Sequence, residues 1–211
     1  MRGFMKFLAW TFGALAVICL VLYFTLLDVW TVPEDDPQMG VSMVPTLAPG
    51  DLVVTMRHGG TSRGNLLKCA DPQAPGRFVV AREEGVAGEK IEVNGESPSI
   101  DGTRTPSPSA CEVPDLTLKD VRTGEDVELH CSLEELGSVK YEAVRAKTRQ
   151  EPPTKWTVEK DRIYLISDNR HMHVDSRDYG TLDPTTCKHI VFRLWSKGGW
   201  SDDKHRFNFL L

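Results

Sequence analysis

Three segments gather the side chains able to do covalent or acid–base chemistry. The first is Gly40-Val41-Ser42-Met43-Val44-Pro45-Thr46-Leu47, a serine among small and apolar neighbours. The second, Phe78-Val79-Val80-Ala81-Arg82-Glu83-Glu84-Gly85-Val86-Ala87-Gly88-Glu89, sets charges directly behind an apolar run. The third is the polar stretch Ser167-Asp168-Asn169-Arg170-His171-Met172-His173-Val174-Asp175-Ser176-Arg177-Asp178-Tyr179-Gly180. A serine hydroxyl is a weak nucleophile at its free pKa and attacks a carbonyl only with a base beside it. A desolvated lysine can be that base, since burial lowers its pKa from about 10.4 toward neutrality. A neutral histidine, unperturbed at about 6.5, is another. Metal chemistry fits less well: no CxxC occurs and the histidines lack ligand spacing, so no metal or cofactor is expected.

The elements that must position these groups begin with an apolar run. Residues 7–27 carry no charge; as a helix they span roughly 31 Å, the thickness of a bilayer's hydrocarbon core. A cleaved leader would show a shorter apolar core and a small-x-small site, and Leu27-Asp28-Val29-Trp30-Thr31 offers none. A buried core helix would show a polar face. An uncleaved anchor contacting lipid is the expectation. Arg2 and Lys6 precede it and Asp28, Glu34, Asp35 and Asp36 follow, which predicts a cytoplasmic N-terminus with the rest outside. Of 25 basic and 30 acidic residues, two basic ones precede Asp28, leaving 23 against 30, a formal −7, for the remainder. That balance argues against nucleic-acid binding.

Cys19 falls inside the apolar run as a filler. Cys69, Cys111, Cys131 and Cys187 lie beyond it, an even set suited to disulfides in an oxidising compartment. Three connectivities are open; Cys111–Cys131, a short local closure, with Cys69–Cys187 is favoured. Residues 28–39 read as an acidic, proline-bearing tether. The Pro-Gly-Asp at 49–51 turns into a strand reaching Thr55, and residues 57–76 read as loop. A strand at 78–82, a turn at 85–88 and a strand at 90–93 running into Asn94-Gly95 read as a hairpin. Residues 96–110 read as loop, and 111–160 as short alternating pieces. Ile163 to Ile166 and Ile190 to Trp195 read as core strands. The fold is therefore expected to be mainly β: a core of 40–95 and 161–211, an inserted β-rich lobe at 96–160, the tether, and the anchor at 1–27.

Taken in order behind an N-terminal anchor, the three segments resemble bacterial-type signal peptidase I, the S26 serine peptidases. The resemblance covers most of 1–55, 77–95 and 163–195; the DNR and DSR elements of the third segment discriminate most, and the middle lobe matches nothing specific. It implies a signal peptidase I-like β core and hydrolysis of exported preproteins at their signal peptides, on the outer face of a bacterial inner (plasma) membrane crossed once. Ser42 would be the nucleophile and its backbone N–H an oxyanion donor; some members add a hydroxyl where this chain has Gly40. Met43, Leu47, Val79 and Val80 would line small apolar pockets, with the substrate bound as an added strand. Asp168, Asn169, Arg170, Ser176 and Arg177 would form a structural network under the site. Only 14 residues separate Leu27 from Ser42, at most about 50 Å of chain, so the site would sit near the membrane.

The second segment departs from the family's x-x-Lys-Arg-x-x-Gly-x-x-Gly-Asp. Arg82, Gly85, Gly88 and Glu89 fall in register, which puts Ala81 where the base lysine belongs. Arg82 stays protonated and cannot replace it, and Lys90 lies too far along the segment. His173 stands where the family has a serine bonded to that lysine, so its imidazole is a candidate substitute base entering the volume Ala81 leaves, with Asp175 or Asp168 as orienter. The alternative is a catalytically silent homologue that binds exported chains or acts as an accessory protein.

Overall fold

The computed structural model describes residues 2–57, 60–94, 96–147 and 152–210. Helix α1, Arg2–Leu26, is apolar on every side, with nothing of its hydrophobic stretch buried against the rest of the chain. It is long enough to cross a bilayer and runs straight into a strand.

Beyond it the chain is mainly β. One seven-stranded antiparallel sheet carries, in order, β1 (Leu27–Thr31), β2 (Leu52–Met56), β13 (Cys187–Trp195), β3 (Leu66–Ala70), β4 (Phe78–Val86) and β12 (Ile163–Ile166), with β14 (Asn208–Phe209) on β13. β13 is bent: its first residues pair with β3, and from Ile190 it pairs with β2. A four-stranded sheet joins β5 (Lys90–Asn94), β6 (Ser97–Ile100), β7 (Thr103–Arg104) and β11 (Thr154–Thr157). A three-stranded meander is built from β8 (Ser109–Lys119), β9 (Asp126–Leu136) and β10 (Val139–Ala146). The four-stranded sheet unites strands from both sides of the expected 95/96 boundary, because β5 pairs with β6 and with β11. The β5–β6 hairpin forms, although Gly95 of its Asn94-Gly95 turn lies outside the described residues.

Four local expectations need correcting. Residues 57–76 are not all loop: β3 lies inside them, near the middle of the large sheet. Leu66, Leu67 and Cys69 are all buried, and each such side chain contributes about 1.5–3 kcal/mol on burial, so packing on both faces overrides the glycines and polar residues around the strand. Residues 28–39 are not a free tether: β1 is an edge strand on β2, with Asp28 opposite Thr55 and Trp30 opposite Val53. Residues 96–110 contain β6, β7 and the start of β8. The turn at 85–88 narrows as well, since β4 continues to Val86. A Cβ at Gly85 would meet Ile91 Cδ1 at 2.6 Å, so the strand needs glycine there.

Strand alternation sorts the core. Met39, Met43, Leu47, Leu66, Val80 and Ile190 belong to one apolar cluster. Their chain neighbours Leu67 and Ala81 join Cys69, Ile163, Leu165 and Leu182 in another. Both favoured disulfides are present, Cys111–Cys131 and Cys69–Cys187; the second closes a separation of 118 residues between paired positions on β3 and β13.

Candidate active site

Ser42 ends a short helix, α2 (Pro37–Ser42). Asp36 caps it, accepting from the Met39 N–H at 3.1 Å, and Pro37 opens the first turn. The serine residue is 1% exposed, and its hydroxyl donates to the Met39 carbonyl at 3.2 Å. It lines a hollow of about 30 Å³, room for a water molecule or two. Around it stand Asp36, Arg77, Phe78, Val80, Val174 and Tyr179.

Asn169 clamps the backbone at the serine. Its N–H donates to the Ser42 carbonyl at 2.9 Å and its Nδ2 to the Val41 carbonyl at 3.0 Å. Its Oδ1 accepts from the N–H groups of His171 and Met172. One residue, through its backbone and its side chain, thus ties the polar loop to the carbonyls on both sides of Ser42.

The rest of the loop is held by buried charge. Asp168 accepts from Arg82 Nε at 2.9 Å and from the Thr46 hydroxyl, and Arg82 also donates to the Gly64 carbonyl at 2.9 Å. All of Arg82, Asp168, Arg170, Asp175 and Ser176 are buried. Asp175 caps α3 (Ser176–Tyr179), accepts from the Ser167 N–H at 2.7 Å and is gripped through both oxygens by Arg177. Burial pushes its carboxyl up, yet the charge and hydrogen bonds of Arg177 outweigh that and hold it far below the usual range. Ser176 Oγ accepts from the Leu165 N–H, fastening α3 to β12. Arg170 reaches Glu134 on β9, and its backbone pairs with Val144 on β10, whose N–H in turn bonds the Asp168 carbonyl. The lobe therefore buttresses the loop that holds Ser42.

The base position is the point of divergence. Ala81 is fully buried among Leu67, Cys69, Ile163, Leu165 and Leu182, an aliphatic setting. His173 sits in a different one: it lines a small hollow with Gln38, Val41 and Met172, and its Nδ1 is 2.9 Å from Asp178 Oδ2 and 3.8 Å from Asp175 Oδ1. The structure thus places the two in separate surroundings. Asp178 is the nearer carboxylate, and Asp175 is already committed to Arg177. The Asp175-x-x-Asp178 capping box was the signal that marks it. His173, Asp175 and Asp178 bring ligand atoms within 4.8 Å of one another, but Arg177 already takes both oxygens of Asp175.

Of the residues expected in apolar pockets, Met43, Leu47 and Val80 share one cluster. Val79 takes the opposite face of β4, across from Cys69. A residue the sequence reading passed over is Lys68 on β3, buried and in register with Val80. Its Nζ lies 4.5 Å from the Trp30 ring and 4.2 Å from the Phe78 ring. Burial, with the nearby charge of Lys188, lowers its pKa.

An apolar helix long enough to cross a membrane, a buried serine at a capped helix end, the Arg82–Asp168 pair and the DNR and DSR loop now stand in one chain. The family model described as "Signal peptidase, peptidase S26" matches residues 6–194. The chain belongs to that family. None of the curated proteins compared with it matches.

Proposed function

We propose that this signal peptidase family member is a membrane-anchored serine endopeptidase that removes signal peptides from exported preproteins. Ser42 is the nucleophile, and α1 anchors the chain once in a bacterial plasma membrane with its N-terminus cytoplasmic. The observation that carries this reading is the Asn169 clamp on the Val41 and Ser42 carbonyls, which holds the serine's backbone in one position. His173 is the base, with Asp178 as its orienter: it shares a small hollow with Val41, the residue before the serine. The substrate binds extended, with a small side chain directed at Val80, which lines the Ser42 hollow; Val79, on the opposite face of β4, lies outside that surface. The domain division of the sequence reading, a catalytic core with an inserted lobe, is kept in a modified sense: the lobe is the buttress of the catalytic loop.

Ala81 favours a second reading, in which the chain has lost its base and binds signal peptides without cutting them. Incubating the full-length protein with a preprotein separates the two. Cleavage that Ser42→Ala abolishes, and that His173→Ala reduces by about 100-fold or more, supports the first. Cleavage surviving His173→Ala unchanged removes His173 as base. Absence of cleavage together with retained peptide binding leaves the second.

A further inference from the structure

The Ser42 hollow has an open neighbour. A groove of about 480 Å³, lined also by Trp30, Pro33 and Pro37, shares four lining residues with the hollow: Met39 and Phe78, which are apolar, and Asp36 and Arg77, which are charged. Their side chains form an ion pair joining the cap of α2 to the β3–β4 loop. That loop is itself closed by Asp71, whose N–H donates to the Arg77 carbonyl and whose carboxylate accepts from the N–H groups of Gln73 and Ala74. Behind the pair, a hollow with room for a water or two cannot admit an acyl group, and the serine is 1% exposed.

We infer that the Asp36–Arg77 ion pair is a latch that shuts Ser42 off from the peptide groove and must part for an extended chain to reach the serine. With the pair open, groove and hollow merge into one channel running from Trp30 to Ser42. The pair is the weak point of the wall. Arg77 is more than half exposed, so the pair is screened by salt and shifts the open–closed balance by at most roughly fivefold. The closed state therefore restrains access without abolishing it. The latch rests on the reading of Ser42 as the peptide-cleaving serine, but its opening can be measured without any peptide.

The test places a thiol at position 42 by Ser42→Cys, in a full-length chain also carrying Cys19→Ser, with both disulfides intact. The labelling rate by a small thiol reagent is compared in three forms: pair intact, Arg77→Gln, and the swap Asp36→Arg with Arg77→Asp. The latch predicts labelling about two- to fivefold faster in Arg77→Gln and a return to the slow rate in the swap. It also predicts acceleration by 0.5 M salt in the intact and swap forms but not in Arg77→Gln; in the intact form that readout needs no substitution in the pair. Equal rates in the intact and Arg77→Gln forms with no salt effect would overturn the latch. Anisotropy of a labelled signal peptide against Ser42→Ala tests the underlying reading separately: a fast-labelling Arg77→Gln form with no peptide binding sinks the substrate assignment and leaves the latch standing.

Discussion

Lysine at position 81 should give Ser42 a base and, in the same step, make stability depend on pH in a defined direction. Ala81 has no exposed surface and touches only aliphatic and sulfur-bearing side chains within its cluster. An ammonium enclosed there loses its hydration, so the Ala81→Lys side chain should titrate near 7 instead of about 10.4. At 1.36 kcal/mol per unit, a shift of about 3.5 units destabilises the fold by about 5 kcal/mol wherever both states would otherwise be charged. The direction follows from proton counts. Between about pH 7 and 10.4 the unfolded chain keeps a proton that the folded chain has released, so the variant gains stability relative to the parent as pH rises through that window. Overpacking adds about 1–3 kcal/mol that does not vary with pH. Urea unfolding of parent and variant from pH 6 to 10.5, with preprotein cleavage on the same samples, reads both effects. The expected result is a stability gap that narrows by about 5 kcal/mol toward pH 10.5, with cleavage rising through neutrality. A gap independent of pH would mean the lysine stays charged, and the argument that this cluster is dry enough to make a base would fail.

Two further substitutions probe the loop and the strand beside it. Asn169→Ala removes one donor to Val41 and an acceptor used by two N–H groups, and should cost roughly 3 kcal/mol at about 1 kcal/mol per bond. Any cleavage should fall through kcat rather than KM; unchanged unfolding and unchanged kcat would refute the clamp. Glu83 on β4 is buried with one oxygen unpartnered, and burial raises its pKa to about 7, against hydrogen bonding from Thr61 and the charge of Arg63. A carboxyl raised in the folded state binds its proton there longer than in the unfolded chain, so the parent loses stability as pH climbs from about 4.5 to 7. Glu83→Gln abolishes that loss, and the stability difference between the two proteins should change by about 3 kcal/mol between pH 4 and 8. Parallel pH profiles would show that Glu83 ionises normally.

An even set of cysteines pointed to disulfides, although the Cys69–Cys187 pairing across 118 residues is not local; the apolar helix was legible because an uncharged run is a local pattern. β3 was not, since a strand buried on both faces shows no alternation, and five residues among glycines and prolines carry no length signal. β1 was hidden for a different reason. Its acidic, proline-bearing sequel reads as coil, while its charge is compensated from strands distant in sequence: Lys188 bonds Asp28 at 2.9 Å and Arg57 lies 3.5 Å away. The Asp36–Arg77 pair likewise joins residues 41 apart that no periodicity links. His173 shows the sharper limit. A position in a motif predicts which loop a side chain occupies, not which neighbour claims it, and here the claim belongs to Asp178.

The lobe explains why the buried charges near Ser42 persist. Arg82, Arg170, Glu134 and Asp168 are enclosed together, and burying ions costs several kcal/mol apiece before pairing repays it. Apolar residues could fill that volume at lower cost, so stability alone does not account for them. What ion pairs add is direction: Arg82 from β4 fixes Asp168, Arg170 fixes the loop to β9, and the Val144 backbone of β10 pairs with both sides of Asn169. The ties reach the loop from two sheets, β4 in the large one and β9 and β10 in the three-stranded one, and they flank Asn169, which holds the Val41 and Ser42 carbonyls. Removing one partner strands a buried charge at about 3–5 kcal/mol. The loss would therefore reach Ser42 through Asn169 even from Glu134, a lobe residue that does not line the hollow. A buried-charge apparatus that holds the backbone on both sides of Ser42 is a reason to look for chemistry at that serine despite the alanine at 81.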